Sequence, residues 1–323
     1  MLHRFRRYPP PVLGEFPIFG TGIAAVYKLV DYRGWLSNII ADPQRIVEPF
    51  TYPRRSEYAS STKTSSISVI IASRNNETTL RQAIASLLNQ SMCPLEIIVV
   101  DDHSDDGSWQ IIRALADADC RIIPVRNSRQ MGTGWSRNLG LTLAKGDYVT
   151  FQDGDDTSDP IRLEKQFSAL TRFPGKKVAT CNYVRVNELG HTMCINNRRT
   201  MKCIISMMFP RKEVLEKVGF FRTLTVSEDA DYFERIKAAF GVESEVKVFR
   251  TMYRALFRPS SSFFATVRIT RYDGSHLLFD RKEDAIDHWR SLARGHKEMA
   301  SGSSSPYVPF NDFSASHRYG AAE

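Results

Sequence analysis

The sequence predicts an α/β protein built on a mainly parallel sheet flanked by helices. Short apolar, β-branched runs alternate with amphipathic segments between Ile67 and Phe151. The apolar runs are hydrophobic enough to be buried on both faces, which is typical of parallel strands covered by helices. Polar groups follow directly after several of these runs. Because ligands bind beyond the carboxyl ends of such strands, these groups are predicted to converge on one crevice.

The first predicted unit is a strand at 67–72 followed by a helix at 79–89. The helix carries Leu80, Ile84, Leu87 and Leu88 at helical spacing. The pattern then continues with a strand at 95–100, a helix at 108–116, a strand at 121–125, a helix at 135–144 and a strand at 147–151. This repetition predicts the parallel sheet.

The second part of the chain has a more varied pattern. A helix from Pro160 to about residue 172 is followed by a strand at 178–186, a turn at 188–190 and a return segment, which indicates a hairpin. Further elements are predicted as a strand at 204–209, a short helix at 210–219, a helix at 229–239 and a charged helix at 280–298. Ser227 is a plausible N-cap for the helix at 229–239. The tail contains Tyr307, Phe310 and Phe313 without periodicity, and no role is assigned to it.

Composition narrows the class of protein. The 323 residues are 42% hydrophobic and 25% charged, as in soluble globular proteins. The five cysteines are an odd number without a CxxC pair, so we expect reduced thiols in the cytoplasm rather than a disulfide framework or a zinc site. The net charge of +8 is scattered and no basic-aromatic motif accompanies it, so nucleic acid is not an expected partner. Anionic lipid or phosphorylated substrates account for it equally well.

Membrane insertion and secretion are not expected. The longest apolar stretch, 16–30, is about 15 residues long and contains Lys28, whereas a span needs ~20 residues. The basic start is followed by Pro9, Pro10 and Pro11 where a signal peptide would become apolar. We therefore expect a cytoplasmic protein, with a peripheral contact at the cytoplasmic face of the membrane as a further expectation.

The acidic run Asp153-Gly154-Asp155-Asp156 directly follows the strand at 147–151. Crowded carboxylates repel each other, and a hard cation such as Mg²⁺ or Mn²⁺ would neutralise them and bridge to phosphates. A solvated acidic turn before the helix at Pro160 is the alternative. A calcium-binding EF-hand is excluded, because Thr157 stands where an acidic or amide ligand is expected and no glycine follows it.

Three further motifs precede this run. They are Ser73-Arg74-Asn75-Asn76-Glu77, the segment from Asp101 to Gly107, and the segment from Gly132 to Asn138. A dinucleotide-binding motif is rejected at Gly132-Thr133-Gly134, because Arg137 replaces the third glycine. The order and spacing of all four motifs resemble the glycosyltransferase family 2 catalytic domain, with its GT-A fold, over roughly 66–241.

The resemblance implies a division of the chain into three parts. Residues 1–65 would be an N-terminal extension and linker, and residues 256–323 a C-terminal extension with a helix and an irregular tail. The catalytic domain would lie at 66–255, with a nucleotide-binding half at 66–157 and an acceptor half at 158–255.

The same resemblance implies a set of donor-binding residues. They are Ser73, Arg74, Asn75, Glu77, Asp102, Arg137, Asp153 and Gly154. Asp102 would hold the uracil or ribose, and Arg137 would offer a fork of donors to the diphosphate. Arg74 stands where many members have an aromatic residue, and its guanidinium plane could stack on the base instead. Asp155 would be the direct ligand of Mn²⁺ or Mg²⁺. Asp153, beside it, would contact the sugar or the ribose of the donor.

Catalysis is predicted at Glu228-Asp229, which fits the family's acidic pair before its last catalytic-domain helix. Asp229 would be the general base for an acceptor hydroxyl and Glu228 would bind or orient the acceptor. Without the family, helix N-terminal acids that complement the dipole would explain the pair. His191 or His276 could complete a metal shell, and Trp135 or Trp289 could stack on a sugar, although packing roles are commoner for these residue types.

The function implied by the resemblance is inverting transfer of a sugar from a nucleotide diphosphate, with UDP the expected nucleotide. The acceptor would be a hydroxyl of a glycan or lipid-linked molecule in surface polysaccharide or glycolipid synthesis. A non-catalytic nucleotide-sugar-binding or assembly subunit with the same fold is the alternative. A nucleotidyltransferase would carry a Gly-rich basic loop after the first strand, and Ser73-Arg74-Asn75-Asn76-Glu77 is not such a loop.

Overall fold

The computed structural model of the chain describes residues 66–94, 96–258 and 262–310. The predicted N-terminal extension and Phe313 lie outside these residues. The elements below belong to one compact unit, which includes residues 66–247 and 251–310.

The first half of the fold is the predicted parallel sheet. Its strands are β1 (Ile67–Ser73), β2 (Glu96–Asp101), β3 (Ile122–Arg126) and β4 (Tyr148–Asp153), and its helices are α1 (Leu80–Leu88), α2 (Ser108–Ala118) and α3 (Thr133–Leu143). The strands run in the order β3-β2-β1-β4, with Ile70 opposite both Ile98 and Phe151. All four carboxyl ends therefore lie at one edge, as predicted.

Further strands, of both directions, extend this sheet on the β4 side. The added elements are β5 (Thr157–Ser158), α4 (Arg162–Arg172), β6 (Val178–Val186), β8 (Met201–Pro210), α5 (Arg211–Lys217), α6 (Glu228–Phe240) and β9 (Glu245–Leu256). The eight-stranded order is β3-β2-β1-β4-β8-β6-β9-β5, with β8 antiparallel to both β4 and β6. The α/β fold class is confirmed, and the second half makes the sheet mixed.

The predicted hairpin after β6 is reduced to a single antiparallel bridge, between Val186 and Thr192. The returning chain forms β7 (Cys194–Ile195), which joins β10 (Val267–Tyr272) and β11 (His276–Arg281) in a separate three-stranded sheet. A small apolar cluster explains this departure, because Met193, Ile195 and Leu277 pack together with Phe257. The antiparallel neighbour of β6 is β8 instead.

Two apolar layers cover the parallel strands. Ile70, Ile98 and Phe151 face α3, α5 and α6, whereas side chains such as Ile71 and Val99 face α1, α2 and α4. Burial of alternate residues on opposite faces is what fixes the register of each strand. The sheet is therefore a rigid base for the loops at its carboxyl edge.

The start of α6 differs from its sequence-based expectation. Ser227 occupies the N-cap position, but its side chain makes no capping hydrogen bond and its backbone is left-handed, with φ 67°. The first turn instead carries three acids, Glu228, Asp229 and Asp231. These carboxylates complement the positive end of the helix dipole.

The C-terminal segment has a structural role that the sequence did not indicate. After α7 (Glu283–Ala300), the N–H of Val308 donates to the carbonyl of Val218, and the N–H of Phe220 donates to the carbonyl of Val308. Gly219 permits this approach, since its φ is +70° and an added Cβ would lie 2.0 Å from the Val308 oxygen. The tail is thereby fixed to the chain that leads into α6.

Among the described residues, no helix combines the length and apolar character that a bilayer span requires.

Candidate active site

A cavity of about 450 Å³ opens at the carboxyl ends of β1 and β2. Its wall consists of Ala72, Ser73, Arg74, Asp102, Gln130, Met131, Gly132, Thr133, Thr223, Leu224 and Thr225. Three predicted donor-binding residues, Ser73, Arg74 and Asp102, are therefore brought together. Arg74 is exposed, whereas Ser73 and Asp102 are buried in the wall.

Asp102 builds part of this wall through its own hydrogen bonds. Its carboxylate accepts the backbone N–H of Met131 at 2.7 Å and that of Gly132 at 2.8 Å, and it also accepts Nδ2 of Asn127 at 2.7 Å. Charge-assisted bonds of this kind are stronger than neutral ones. Asp102 therefore holds the loop that leads into α3 against the end of β2.

Asn75 and Glu77 turn toward the neighbouring loop rather than into the cavity wall. Oδ1 of Asn75 accepts the N–H of Asp105, and Oε2 of Glu77 accepts the N–H of Gly107, both at 3.1 Å. Asn75 adopts a left-handed backbone with φ 53°, a conformation that asparagine tolerates better than most residues. Both side chains thus join the loop after β1 to the loop after β2, and their predicted donor contacts stay predictions.

The acidic run after β4 forms a cluster, called here the β4 cluster, of Asp153, Asp155 and Asp156. One carboxylate oxygen from each lies within 4.8 Å of the others, close enough for all three to face one ion. Gly154 is tightly packed at this point, because an added Cβ would lie 2.5 Å from Nδ2 of Asn76. Carboxylate oxygens are the ligands that Mg²⁺ and Mn²⁺ prefer, so the donor set fits such an ion.

Arg258, which follows β9, forms an ion pair with the β4 cluster. Its Nε and Nη2 both donate to Oδ2 of Asp155, at 3.0 and 2.6 Å, and Nη2 also donates to Oδ1 of Asn76 at 2.6 Å. Burial and the neighbouring Asp153 raise the pKa of Asp155, while Arg258 opposes that rise. No local sequence signal singled out Arg258.

The two histidines considered as further metal ligands lie elsewhere. His191 is exposed in the turn after β6, and His276 lies on β11 beside Asp273. Trp135, considered for sugar stacking, contacts the ring of Phe310 with centroids 5.1 Å apart. None of these three residues lines the cavity described above.

Asp156 ties the β4 cluster to β9. Its Oδ1 accepts the N–H of Leu256 at 2.8 Å, and its side chain is buried. Burial, followed by the charges of Asp155 and Asp153, holds the pKa of Asp156 well above its ordinary value. Tyr253 strengthens the same junction, because its hydroxyl accepts the N–H of Asp153 at 3.0 Å. Asp156, for which the sequence predicted no role, thus positions the end of β9, which Arg258 follows.

Arg137 joins the β4 cluster to the acids at the start of α6. Its Nη2 donates to Oδ1 of Asp153 at 2.9 Å and its Nη1 to Oε1 of Glu228 at 2.6 Å. The guanidinium is buried over the rings of Phe151 and Phe221. Burial alone would lower the pKa of Arg137, but the surrounding carboxylates raise it above its ordinary value. Arg137 therefore remains charged.

Glu228 and Asp229, called here the α6 pair, are half-buried. Burial raises the pKa of Glu228 to about 7, with Asp229 adding to the rise and Arg137 opposing it. Burial also raises the pKa of Asp229, whose Oδ1 accepts the N–H of Ala230. A carboxylate is a better proton acceptor when its pKa approaches the working pH. Glu228 can therefore take up a proton near neutrality.

Asp231, two residues after Asp229 on α6, contacts two arginines and a histidine. Its carboxylate pairs with Arg235 at 2.9 Å, Arg222 at 3.2 Å and Nε2 of His296 at 2.9 Å. Burial alone would raise the pKa of Asp231, but these partners lower it below its ordinary value. Because His296 belongs to α7, this network anchors α7 to α6. No local sequence pattern predicts this network.

Comparison with known proteins gives a match to one family over part of the chain. The family model described as Glycosyl transferase family 2 matches residues 68–222, which contain β1 through the approach to α6. This segment, just under half of the chain, therefore matches glycosyl transferase family 2. The α6 pair lies beyond the matched residues.

Named relatives match only part of the chain. An uncharacterized glycosyltransferase of Haemophilus influenzae is 42% identical over 104 residues, covering 32% of this chain and 42% of the relative. The UDP-Glc:alpha-D-GlcNAc-diphosphoundecaprenol beta-1,3-glucosyltransferase WfaP of Escherichia coli is 40% identical over 90 residues, covering 28% and 35%. A cholesterol galactosyltransferase of Borreliella burgdorferi is 39% identical over 98 residues, covering 30% and 27%. The match spans less than half the length of each relative.

A solved structure shares the fold. The crystal structure of S. aureus TarS 1-349 in complex with UDP-GlcNAc is similar over 73% of this chain and 71% of that one, with a TM-score of 0.53 and 20% identity. At this identity the likeness shows the fold alone.

Proposed function

We propose that this protein is an inverting glycosyltransferase that moves a sugar from a nucleotide diphosphate to an acceptor hydroxyl. The observation that carries the proposal is the contact of one buried guanidinium, Arg137, with both Asp153 and Glu228. It makes the β4 cluster and the α6 pair two sides of one site. One side suits a diphosphate with a cation, and the other suits a hydroxyl that must lose its proton.

The donor nucleotide would occupy the cavity at the ends of β1 and β2. Arg74 offers a planar cation for stacking on the base, and Asp102 fixes the loop at 131–132 that shapes the opposite wall. We propose UDP as the nucleotide. The fold shared with TarS, solved with UDP-GlcNAc, supports this choice, as does the UDP-Glc donor in the name of WfaP.

Asp155 and Asp153 would hold a divalent cation, Mn²⁺ or Mg²⁺. Their oxygens and that of Asp156 lie close enough together to face one ion. When bound, such a cation would neutralise charge on the departing diphosphate. Arg137 would hold Asp153 in place through its hydrogen bond.

On the acceptor side, Asp229 would take the proton of the attacking hydroxyl, and burial, which raises its pKa, makes it a better proton acceptor than an ordinary aspartate. The hydroxyl oxygen forms a bond to the anomeric carbon while the bond to the diphosphate oxygen breaks. Because these two groups lie on opposite sides of the sugar, the anomeric centre inverts. Glu228, held by Arg137, would orient the acceptor.

We propose a glycan or lipid-linked acceptor, in surface polysaccharide or glycolipid synthesis at the cytoplasmic membrane face. The diphosphoundecaprenol and cholesterol acceptors named for two relatives support a lipid-linked acceptor. The net charge of +8 is compatible with contact to anionic lipid.

The test measures UDP release from a panel of UDP-sugars with Mn²⁺, with and without lipid-linked and oligosaccharide acceptors. Asp155→Asn should lose release, while Asp287→Asn, an exposed acid on α7, should match the unchanged protein. Donor binding without turnover on any acceptor would favour the non-catalytic subunit. Equal release by Asp155→Asn and the unchanged protein would contradict the metal assignment.

A further inference from the structure

Arg258 binds the β4 cluster in a way that bears on how a metal ion enters. Its Nε and Nη2 donate to the same oxygen, Oδ2 of Asp155. Both side chains are largely shielded, with exposures of 23% for Arg258 and 20% for Asp155. Limited exposure reduces screening by water, so this pair interacts more strongly than a surface ion pair.

The guanidinium has a second fixed partner. Nη2 of Arg258 donates to Oδ1 of Asn76, and Nδ2 of Asn76 donates to Oγ of Ser73. Asn76 is 5% exposed, and Gly154 packs against its amide. Arg258 thus links the end of β9 to the ends of β1 and β4. Its position is set by two acceptors rather than by one flexible contact.

A divalent cation and this guanidinium compete for the same oxygen. Mg²⁺ lies about 2.1 Å from its oxygen ligands, so an ion on Oδ2 of Asp155 would lie within about 5 Å of the nearest Arg258 nitrogen. Like charges at that separation repel strongly where water is partly excluded. Full coordination by Asp155 therefore requires Arg258 to release Oδ2.

We propose that Arg258 is the resident counter-ion of Asp155 and that a divalent cation must displace it, so that Arg258 sets the metal affinity of the site. The inference rests on the proposed function, because the metal ligands are those of the proposed donor site. Arg258 is a positioning residue in this account. It neutralises Asp155 before the metal arrives and weakens metal binding by the free protein.

The test is the dissociation constant of Mn²⁺, measured on the full chain without nucleotide from the electron paramagnetic resonance signal of free Mn²⁺. Arg258→Gln should tighten Mn²⁺ binding roughly tenfold, the size expected from removal of one charge-assisted competitor. Arg258→Lys keeps the charge but loses the fork, so it should tighten binding by a smaller factor. It also supplies a second variant if the glutamine variant unfolds.

Two further variants assign the effect. In an Asp155→Asn background, Arg258→Gln should give no gain, because the contested carboxylate is gone. Arg290→Gln removes an exposed arginine on α7 and should leave the Mn²⁺ affinity unchanged. Thermal unfolding of each variant reports whether the fold is intact.

Equal or weaker Mn²⁺ binding by Arg258→Gln would overturn the inference, and so would absence of Mn²⁺ binding to every variant. The proposed function fails separately. Mn²⁺ binding with the predicted dependence on Arg258, together with no sugar transfer to any acceptor, would retain this inference and overturn the enzyme assignment.

Discussion

The two acidic regions of the site differ in how their charges are balanced. In the β4 cluster, Arg137 forms an ion pair with Asp153, and Arg258 forms one with Asp155. Asp156 accepts a backbone N–H from β9. The α6 pair shares Arg137 through Glu228. Within the described part of the chain, Asp229 bonds to its own helix backbone and to no cation. One region is suited to hold a cation, and the other to exchange a proton.

Asp231 sharpens this contrast because it lies on the same helix as Asp229. Two arginines and the hydrogen bond to His296 lower the pKa of Asp231, whereas burial raises the pKa of Asp229. Partners, rather than position along the helix, therefore decide which acid is permanently charged. We interpret Asp231 as an anchor for α7 and Asp229 as the acid that remains available for chemistry.

The largest expected effect is at Asp229. Asp229→Asn should lower the rate of sugar transfer by about 10² to 10⁴-fold, since the general base is lost. Because the β4 cluster is untouched, UDP and Mn²⁺ affinities should stay within a factor of about two, as read by calorimetry. A variant that transfers sugar at the normal rate would remove Asp229 from the mechanism.

The second-largest effect is expected at Arg137, which contacts both acidic regions. Arg137→Met leaves Asp153 and Glu228 without their shared cation and should destabilise the protein by about 3–5 kcal/mol, as expected when one partner of a buried ion pair is removed. Urea unfolding measures this loss. Arg290→Met, at an exposed pair on α7, is the matched control and should cost less than about 1 kcal/mol. Equal costs for both variants would show that Arg137 does not link the regions.

The smallest effect concerns the pH dependence of stability. Burial raises the pKa of Glu228 from 4.5 to about 7, so between these values the folded state holds a proton that the unfolded state has lost. The free energy of unfolding should therefore fall as pH rises across this window, by up to about 3 kcal/mol from this group.

Glu228→Gln should remove this dependence of the free energy of unfolding on pH, even though it also changes the contact with Arg137. Urea unfolding of both proteins at several pH values from 5 to 8 measures the difference. Parallel curves for the two proteins would mean that Glu228 titrates as an ordinary glutamate.

The fold was largely predictable because its signals are local. The runs around Ile70, Ile98 and Phe151 are apolar and β-branched or aromatic, and each is followed by a polar loop. Register then follows from burial on both faces. The hairpin expected after β6 is limited to one antiparallel bridge, because Met193 and Ile195 of the returning chain pack with Phe257 and Leu277, which lie far along the sequence.

The candidate site was predictable only in part. The order of the motifs predicted the acids of the β4 cluster and of the α6 pair as site residues. Ion pairs between residues distant in sequence leave no local pattern, so they were not predicted. Arg137 was expected on a diphosphate, and it bonds to Asp153 and Glu228 in this structure. Arg258 was not anticipated, since nothing near it in sequence indicates Asp155 as its partner.

The most direct test of the account is the configuration of the product. If the β4 cluster receives the leaving diphosphate and the α6 pair receives the proton of the acceptor, the acceptor attacks from the face opposite the leaving group. Proton NMR of the first product formed from an α-linked UDP-sugar should then show a β-linked sugar. An α-linked product would contradict single displacement between the two regions.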